Sequence, residues 1–149
     1  MPPGPLFNVV VAEDDDDDFL LIGKALKEAG SIRQVFRVKD GEELMDYLLR
    51  RGRYADPVAS PPPSLIFLDL NMPKKDGREA LKEVKAHPGL RRIPIIILTT
   101  SNSEKDILRS YELGAAGFIV KPDNFSRWAE SMKTLDRYWF HVAALPSEA

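Results

Sequence analysis

The sequence predicts a doubly wound α/β fold: a five-stranded parallel sheet covered by helices, with an extended C-terminal helix. Two observations and one general rule carry that prediction. Short apolar runs recur five times along the 149 residues, and strands apolar throughout suit a parallel sheet buried on both faces. Segments of helical periodicity separate the runs, which is the βα alternation of this class. Right-handed crossovers then place helices on both sides of the sheet.

Residues 1–5 are rich in Pro and Gly and read as a frayed tail. Leu6 to Ala12 is the first strand, stopped by Glu13 and five aspartates, Asp14 to Asp18. Phe19, Ile22, Ala25, Leu26 and Ala29 then recur at helical spacing, and Gly30 ends that helix. Val35 to Val38 is the second strand. Asp40 followed by Glu43 opens a helix in the manner of a capping box, with Leu44, Tyr47 and Leu48 on one face. Arg50 to Ser64, with its arginines and prolines, reads as a solvated loop, partly polyproline-like. Leu65 to Leu70 is the third strand, interrupted only by Asp69. After Pro73 and Gly77, a short helix carries Ala80, Leu81 and Val84. Pro94 to Thr99 is the fourth strand. Ser103 and Asp106 cap a helix expected to turn Ile107, Leu108 and Tyr111 inward. Phe118 to Val120 is the fifth strand, ended by Lys121-Pro122, and the last helix runs from about Asn124 to Ala143.

Composition narrows the function. Hydrophobic residues at 44% and charged residues at 30% suit a globular domain with one core. A net charge of −2 supplies no bulk attraction to nucleic acid or an anionic membrane. The absence of cysteine excludes disulfides, thiolate metal sites and thiol nucleophiles. No apolar run approaches a membrane span, and the N-terminus lacks a signal-type region. The expectation is a cytoplasmic chain forming one domain over 1–149, with its core at about 6–137 and a helical extension at about 138–149. No effector domain is expected after it.

In an open parallel sheet, sites lie beyond the carboxyl ends of the strands. Here those ends carry Glu13-Asp14, Asp69, Thr99-Thr100 and Lys121. Carboxylates brought close together repel, and a divalent cation removes the repulsion. An all-oxygen set suits Mg2+. The Lys121 ammonium and Thr99 hydroxyl add donors for phosphoryl oxygens, as in-line phosphoryl transfer requires. A carboxylate beside the metal, Asp69, is the natural acceptor. Of the remaining acids, Asp15 to Asp18 read mostly as surface acids of a first helical turn, favoured there by the helix dipole. His87 and His141 belong to no cluster.

The set Glu13-Asp14, Asp69 in LDLNMPKKDG, Thr99 and Lys121-Pro122 resembles the receiver domains of two-component response regulators, over about residues 6–137. The resemblance implies the flavodoxin-like receiver fold and phosphoryl transfer to Asp69 from a phosphohistidine on a sensor histidine kinase. It implies Mg2+ held by Glu13 or Asp14, by Asp69 and by the backbone carbonyl of Asn71, with Thr99 and Lys121 on the phosphoryl oxygens. It also implies an aromatic switch at Phe118, which keeps the ring of the family's common Tyr but loses its hydroxyl. The proline-bearing loop before the third strand and the ending LDRYWFHVAALP resemble the small regulators that partner bacterial phytochromes. That narrower likeness makes a bacteriophytochrome the expected upstream kinase.

Two other readings use the same residues. A haloacid dehalogenase-type phosphatase also needs an Asp nucleophile, Mg2+ and a Lys, but wants a second acid two residues after the nucleophile; Asn71 stands there. A receiver-like scaffold that is never phosphorylated is the other. The last helix bears on output. Phe125, Trp128, Met132, Leu135, Trp139 and Val142 form a near-heptad stripe. Tyr138, Trp139 and Phe140 follow the point where the core should be complete. An exposed apolar patch marks an interface, so a symmetric homodimer is expected, with Trp128, Leu135, Tyr138, Trp139 and Phe140 in its contact.

Overall fold

The computed structural model describes residues 7–146; the tail expected at 1–5, Leu6 and the last three residues lie outside the described residues. Five parallel strands, β1 (Phe7–Ala12), β2 (Ile32–Val38), β3 (Leu65–Leu68), β4 (Ile95–Thr99) and β5 (Gly117–Val120), pair in the order β2-β1-β3-β4-β5. The helices between them are α1 (Asp16–Ala29), α2 (Gly41–Leu48), α3 (Gly77–Ala86), α4 (Glu104–Glu112) and α5 (Phe125–Arg137). Strand order reverses between β1 and β3, so a crevice opens at their carboxyl ends, where ligands bind in this class.

Alternation along each strand builds two cores. Val9 and Val11, Leu65 and Phe67, and Ile96 and Leu98 face Ile22, Ala25 and Leu26 of α1 and Trp128 and Met132 of α5. Val10, Ile66, Leu68, Ile95 and Ile97 face Leu44, Met45 and Tyr47 of α2 and Ala80, Leu81 and Val84 of α3. Helix ends follow their caps. Asp15, Asp40, Asp76, Ser103 and Asn124 each accept from a backbone N–H three residues on, and Gly30 closes α1 in the left-handed region at φ 99°. No helix among the described residues is long and apolar enough to cross a membrane.

Three expectations change. The stretch 50–64 is not solvated throughout. It holds a short 3-10 turn, Gly52–Tyr54, whose Tyr54 is buried against Tyr47 with ring centroids 5.0 Å apart. The Tyr47 hydroxyl donates to the Pro61 carbonyl at 2.7 Å, which draws the proline segment inward. Helix α4 is rotated from its expected face. Leu108 is 62% and Tyr111 49% exposed, Ile107 is half-buried, and Ser110 is the buried residue of the helix. Ile107, Ser110 and Leu113 form the inward stripe, because the small Ser110 lets the helix lie close.

The third change concerns the last helix, and with it the expected interface. Trp128 is 1% exposed inside the core and offers nothing to a partner. After Arg137 the helix widens into a π segment, Tyr138–Val142, closed by the Ala143 N–H donating to the Tyr138 carbonyl at 2.7 Å. The wider turn breaks the heptad phase. Trp139 and Phe140 swing back onto the α1–α5 core beside the half-buried Leu135, and Phe140 stacks on Phe7 at 4.5 Å. Tyr138 and Val142 remain exposed.

Candidate functional site

The β ladder carries the site residues one step past the strand ends. The Glu13 N–H donates to the Val38 carbonyl at 2.9 Å, the Asp69 N–H to Ala12 at 3.1 Å and the Lys121 N–H to Thr99 at 2.7 Å. Glu13, Asp69, Thr99 and Lys121 therefore meet at one pole of the sheet although up to 108 positions separate them. Glu13 is 1%, Asp69 6% and Thr99 0% exposed. Buried acids need a cation or hydrogen-bond partners, and Lys121 supplies the first. Its Nζ lies 2.6 Å from Glu13 Oε1, 2.7 Å from Asp18 Oδ2 and 2.9 Å from Asp69 Oδ2.

Asp69 is held from both sides. Its Oδ1 accepts from the Asn71 N–H at 3.1 Å while Oδ2 faces Lys121. The Asn71 amide reaches towards the Thr99 hydroxyl, 3.5 Å away. Gly77 sets the backbone here, since a Cβ on it would stand 2.1 Å from the Asp69 carbonyl oxygen and 2.7 Å from Leu70 Cα. Both are backbone atoms and cannot rotate aside. Gly77→Ala is expected to cost about 2 kcal/mol through this overpacking and to push Asp69 out of register. Urea unfolding reads the first effect; retained wild-type stability would show that the β3–α3 turn yields freely.

Electrostatics follow from burial. Burial raises the Glu13 carboxyl, Asp69 repulsion adds to that, and Lys121 only partly offsets it, so the group sits at about 7. Burial pulls the Lys121 ammonium down, but its close contacts with the acids Asp18, Glu13 and Asp69 outweigh that and hold it above the usual lysine range. Glu13 Oε1 is close to Lys121 yet outside hydrogen-bonding geometry, a buried oxygen left without a hydrogen-bond partner.

These residues fit a hard divalent cation. Glu13, Asp14 and Asp69 each present a carboxylate oxygen, and the three atoms lie within 4.8 Å of one another. Asp14 is exposed and opens the site to solvent, and Glu13 Oε1 has capacity to spare. Carboxylates with solvent access are the donor set of Mg2+ or Mn2+.

The structure also brings in Asp18, which reads from sequence as one of the four acids, Asp15 to Asp18, assigned mostly to the surface. Its one available signal was spacing, because Asp18 and the buried Ile22 are four apart and share a face of α1. His141 is not isolated. Its Nε2 lies 2.7 Å from Ser31 Oγ, and Ser31 donates from its N–H and hydroxyl to the buried Asp136. This group ties α5 to the α1–β2 turn. His87 accepts from the Gly89 N–H through Nδ1 and stands apart from the site.

The response regulator receiver domain matches residues 9–133. The chain is 37% identical to response regulator Rcp1 of Synechocystis sp. over 139 residues, 93% of this chain and 92% of that protein. The phosphorylated cyanobacterial phytochrome response regulator RcpA superposes with a TM-score of 0.88 at 42% identity, over 95% of this chain and 99% of that one. The Mn2+-bound form of response regulator Rcp1 superposes with a TM-score of 0.86 at 36% identity, over the same shares of the two chains.

Proposed function

The chain belongs to the response regulator receiver domain family, and on that premise we propose that Asp69 accepts a phosphoryl group from a sensor histidine kinase. The observation that carries the reading is the contact of one ammonium, Lys121, with the buried acids Glu13 and Asp69 beside a buried Thr99 hydroxyl. An Asp69 oxygen forms the new P–O bond as the donor's bond to phosphorus breaks and its electron pair leaves with the donor. A phosphohistidine nitrogen then takes up a proton, whereas acetyl phosphate releases acetate. Lys121 and Thr99 are placed to take the charge that develops on the phosphoryl oxygens.

Glu13, Asp14 and Asp69 would hold Mg2+, with the Asn71 carbonyl beside them. When bound, the cation supplies neutralisation of the acids and polarisation of the phosphoryl oxygens. Asn71 offers no acid for turnover, so the aspartyl phosphate persists as a signal, and the phosphatase alternative gains no support from the family match. The Phe118 ring is half-buried on the α2–α3 core and is the proposed relay for movement of Thr99. RcpA is named as a phytochrome response regulator; by that likeness the proposed kinase is a bacteriophytochrome. Output is a changed protein contact. A dimer through the last helix is retained in this reading, with Tyr138 and Val142 as its exposed apolar contacts.

Incubation with acetyl phosphate and Mg2+ is expected to add the mass of one phosphoryl group. No gain in mass would return the chain to the scaffold reading. Sedimentation of the same samples tests the dimer, which a monomer at high micromolar concentration with and without phosphorylation would refute.

A further inference from the structure

Lys121 is gripped by one acid more than the proposed transfer needs. Glu13 and Asp69 belong to the cation and phosphoryl site, but Asp18 does not. It lies in the first turn of α1, its side chain is 29% exposed, and its Oδ2 accepts from Lys121 Nζ at 2.7 Å. The first turn places it firmly. The Asp18 N–H donates to the Asp15 side chain at 2.9 Å, and Arg37 braces the same turn through Asp16 at 2.8 Å and through the Glu13 carbonyl at 3.0 Å.

The ammonium donates to Asp18 and Asp69, and Glu13 Oε1 crowds its remaining side at 2.6 Å. For Lys121 Nζ to move onto a phosphoryl oxygen, one of those contacts must open. Asp18 also adds charge. Glu13, Asp14, Asp18 and Asp69 outnumber the single ammonium, and a divalent cation would not fully balance them. A dianionic phosphodonor meets that surplus as repulsion.

We propose that Asp18 is a positioning residue that restrains the Lys121 ammonium and slows phosphorylation, so that transfer to Asp69 includes release of Lys121 from Asp18 to a phosphoryl oxygen. The proposal rests on Asp69 being the phosphoacceptor.

Asp18→Asn keeps the side chain's size and removes its charge, and Asp18→Glu keeps the charge. In metal-free protein, the 15N ammonium signal of Lys121 is expected to exchange slowly with water in the wild type and faster in Asp18→Asn. With Mg2+ and acetyl phosphate, Asp18→Asn is expected to react about fivefold faster at low ionic strength, an advantage that shrinks as salt rises. The gain should fall on the donor concentration that gives half the maximal rate, with the maximal rate changing less, and Asp18→Glu should return the wild-type rate. A purely structural acid would alter stability without this dependence on salt and charge. Equal or slower phosphorylation of Asp18→Asn, or unchanged exchange at Lys121, overturns the proposal. A wild type that takes up no phosphoryl group overturns the phosphoacceptor reading and the proposal with it, whereas an Asp18→Asn variant that merely matches a reactive wild type overturns the proposal alone.

Discussion

Asp69→Asn is expected to take up no phosphoryl group from acetyl phosphate or a kinase, and to unfold at a higher temperature than the wild type in chelator. The first effect is chemical. A carboxamide oxygen is a poor nucleophile and forms no acyl phosphate under these conditions, so the mass gain disappears entirely. The second is electrostatic. Asp69 and Glu13 are buried side by side, and Asp18 shares the same ammonium. Repulsion from Asp69 contributes to the raised Glu13 carboxyl. A neutral amide removes that repulsion while its oxygen still accepts from the Asn71 N–H. Lys121 loses one partner and keeps two. The balance is expected to favour the folded variant by about 1 kcal/mol, a rise of roughly 3 °C for a chain of this size. Functional sites store this kind of frustration, and neutralising it stabilises at the cost of activity. Mass spectrometry reads the first effect and thermal unfolding in chelator the second. A variant less stable than the wild type would show that the Lys121–Asp69 contact outweighs the repulsion between the acids.

The parts of this molecule that were legible in the sequence are those where local chemistry and topology agree. Val9 to Ala12, Leu65 to Leu68 and Ile95 to Leu98 are continuous apolar runs, and an acid or a hydroxyl residue ends each one. Parallel topology then forces those ends together, so Glu13, Asp69, Thr99 and Lys121 could be grouped before any contact was seen. The orientation of α4 was not legible. Periodicity locates an apolar face, but Leu108 and Tyr111 turn outward because the small Ser110 permits the close approach. The end of α5 misled for a related reason. A heptad stripe presumes constant pitch, and the π segment at Tyr138–Val142 changes it, so Trp139 and Phe140 cover their own core. Asp18 was hidden by its neighbours, since five consecutive aspartates differ only in helical phase. The Ser31–Asp136–His141 group joins residues 105 and 110 positions apart and leaves no local trace.

Lys121→Met should move stability in the opposite direction from Asp69→Asn, and by more. Its ammonium is the one cation in contact with Glu13 Oε1 and Asp69 Oδ2 among the described residues. Removing one side of a buried ionic cluster leaves uncompensated charge, and the expected loss is about 3 kcal/mol at pH 8 in chelator. The pH dependence has a definite sign. The folded-state Glu13 carboxyl is raised from 4.5 to about 7. Between those values the folded chain holds a proton that the unfolded chain has released, so wild-type stability falls as pH rises through that window. Without Lys121, the influence that lowers Glu13 is gone, and the window extends upward. At pH 5 Glu13 is protonated with or without Lys121, so the variant's deficit there comes only from Asp69 and Asp18 and is smaller. Lys121 itself stays charged throughout this range, since its bonds hold it above the usual lysine value. Urea unfolding at pH 5 and pH 8 should therefore show a gap between wild type and variant that widens with pH. The same substitution removes a donor aimed at the transferred group, and phosphorylation by acetyl phosphate should slow by about 10²-fold. A gap in stability that stays constant with pH would mean that Glu13 is ionised in both proteins at pH 5. Asp69 would then share its ammonium with a charged neighbour at every pH tested, and the gain expected of Asp69→Asn would persist at pH 5 where Glu13 protonation should otherwise diminish it.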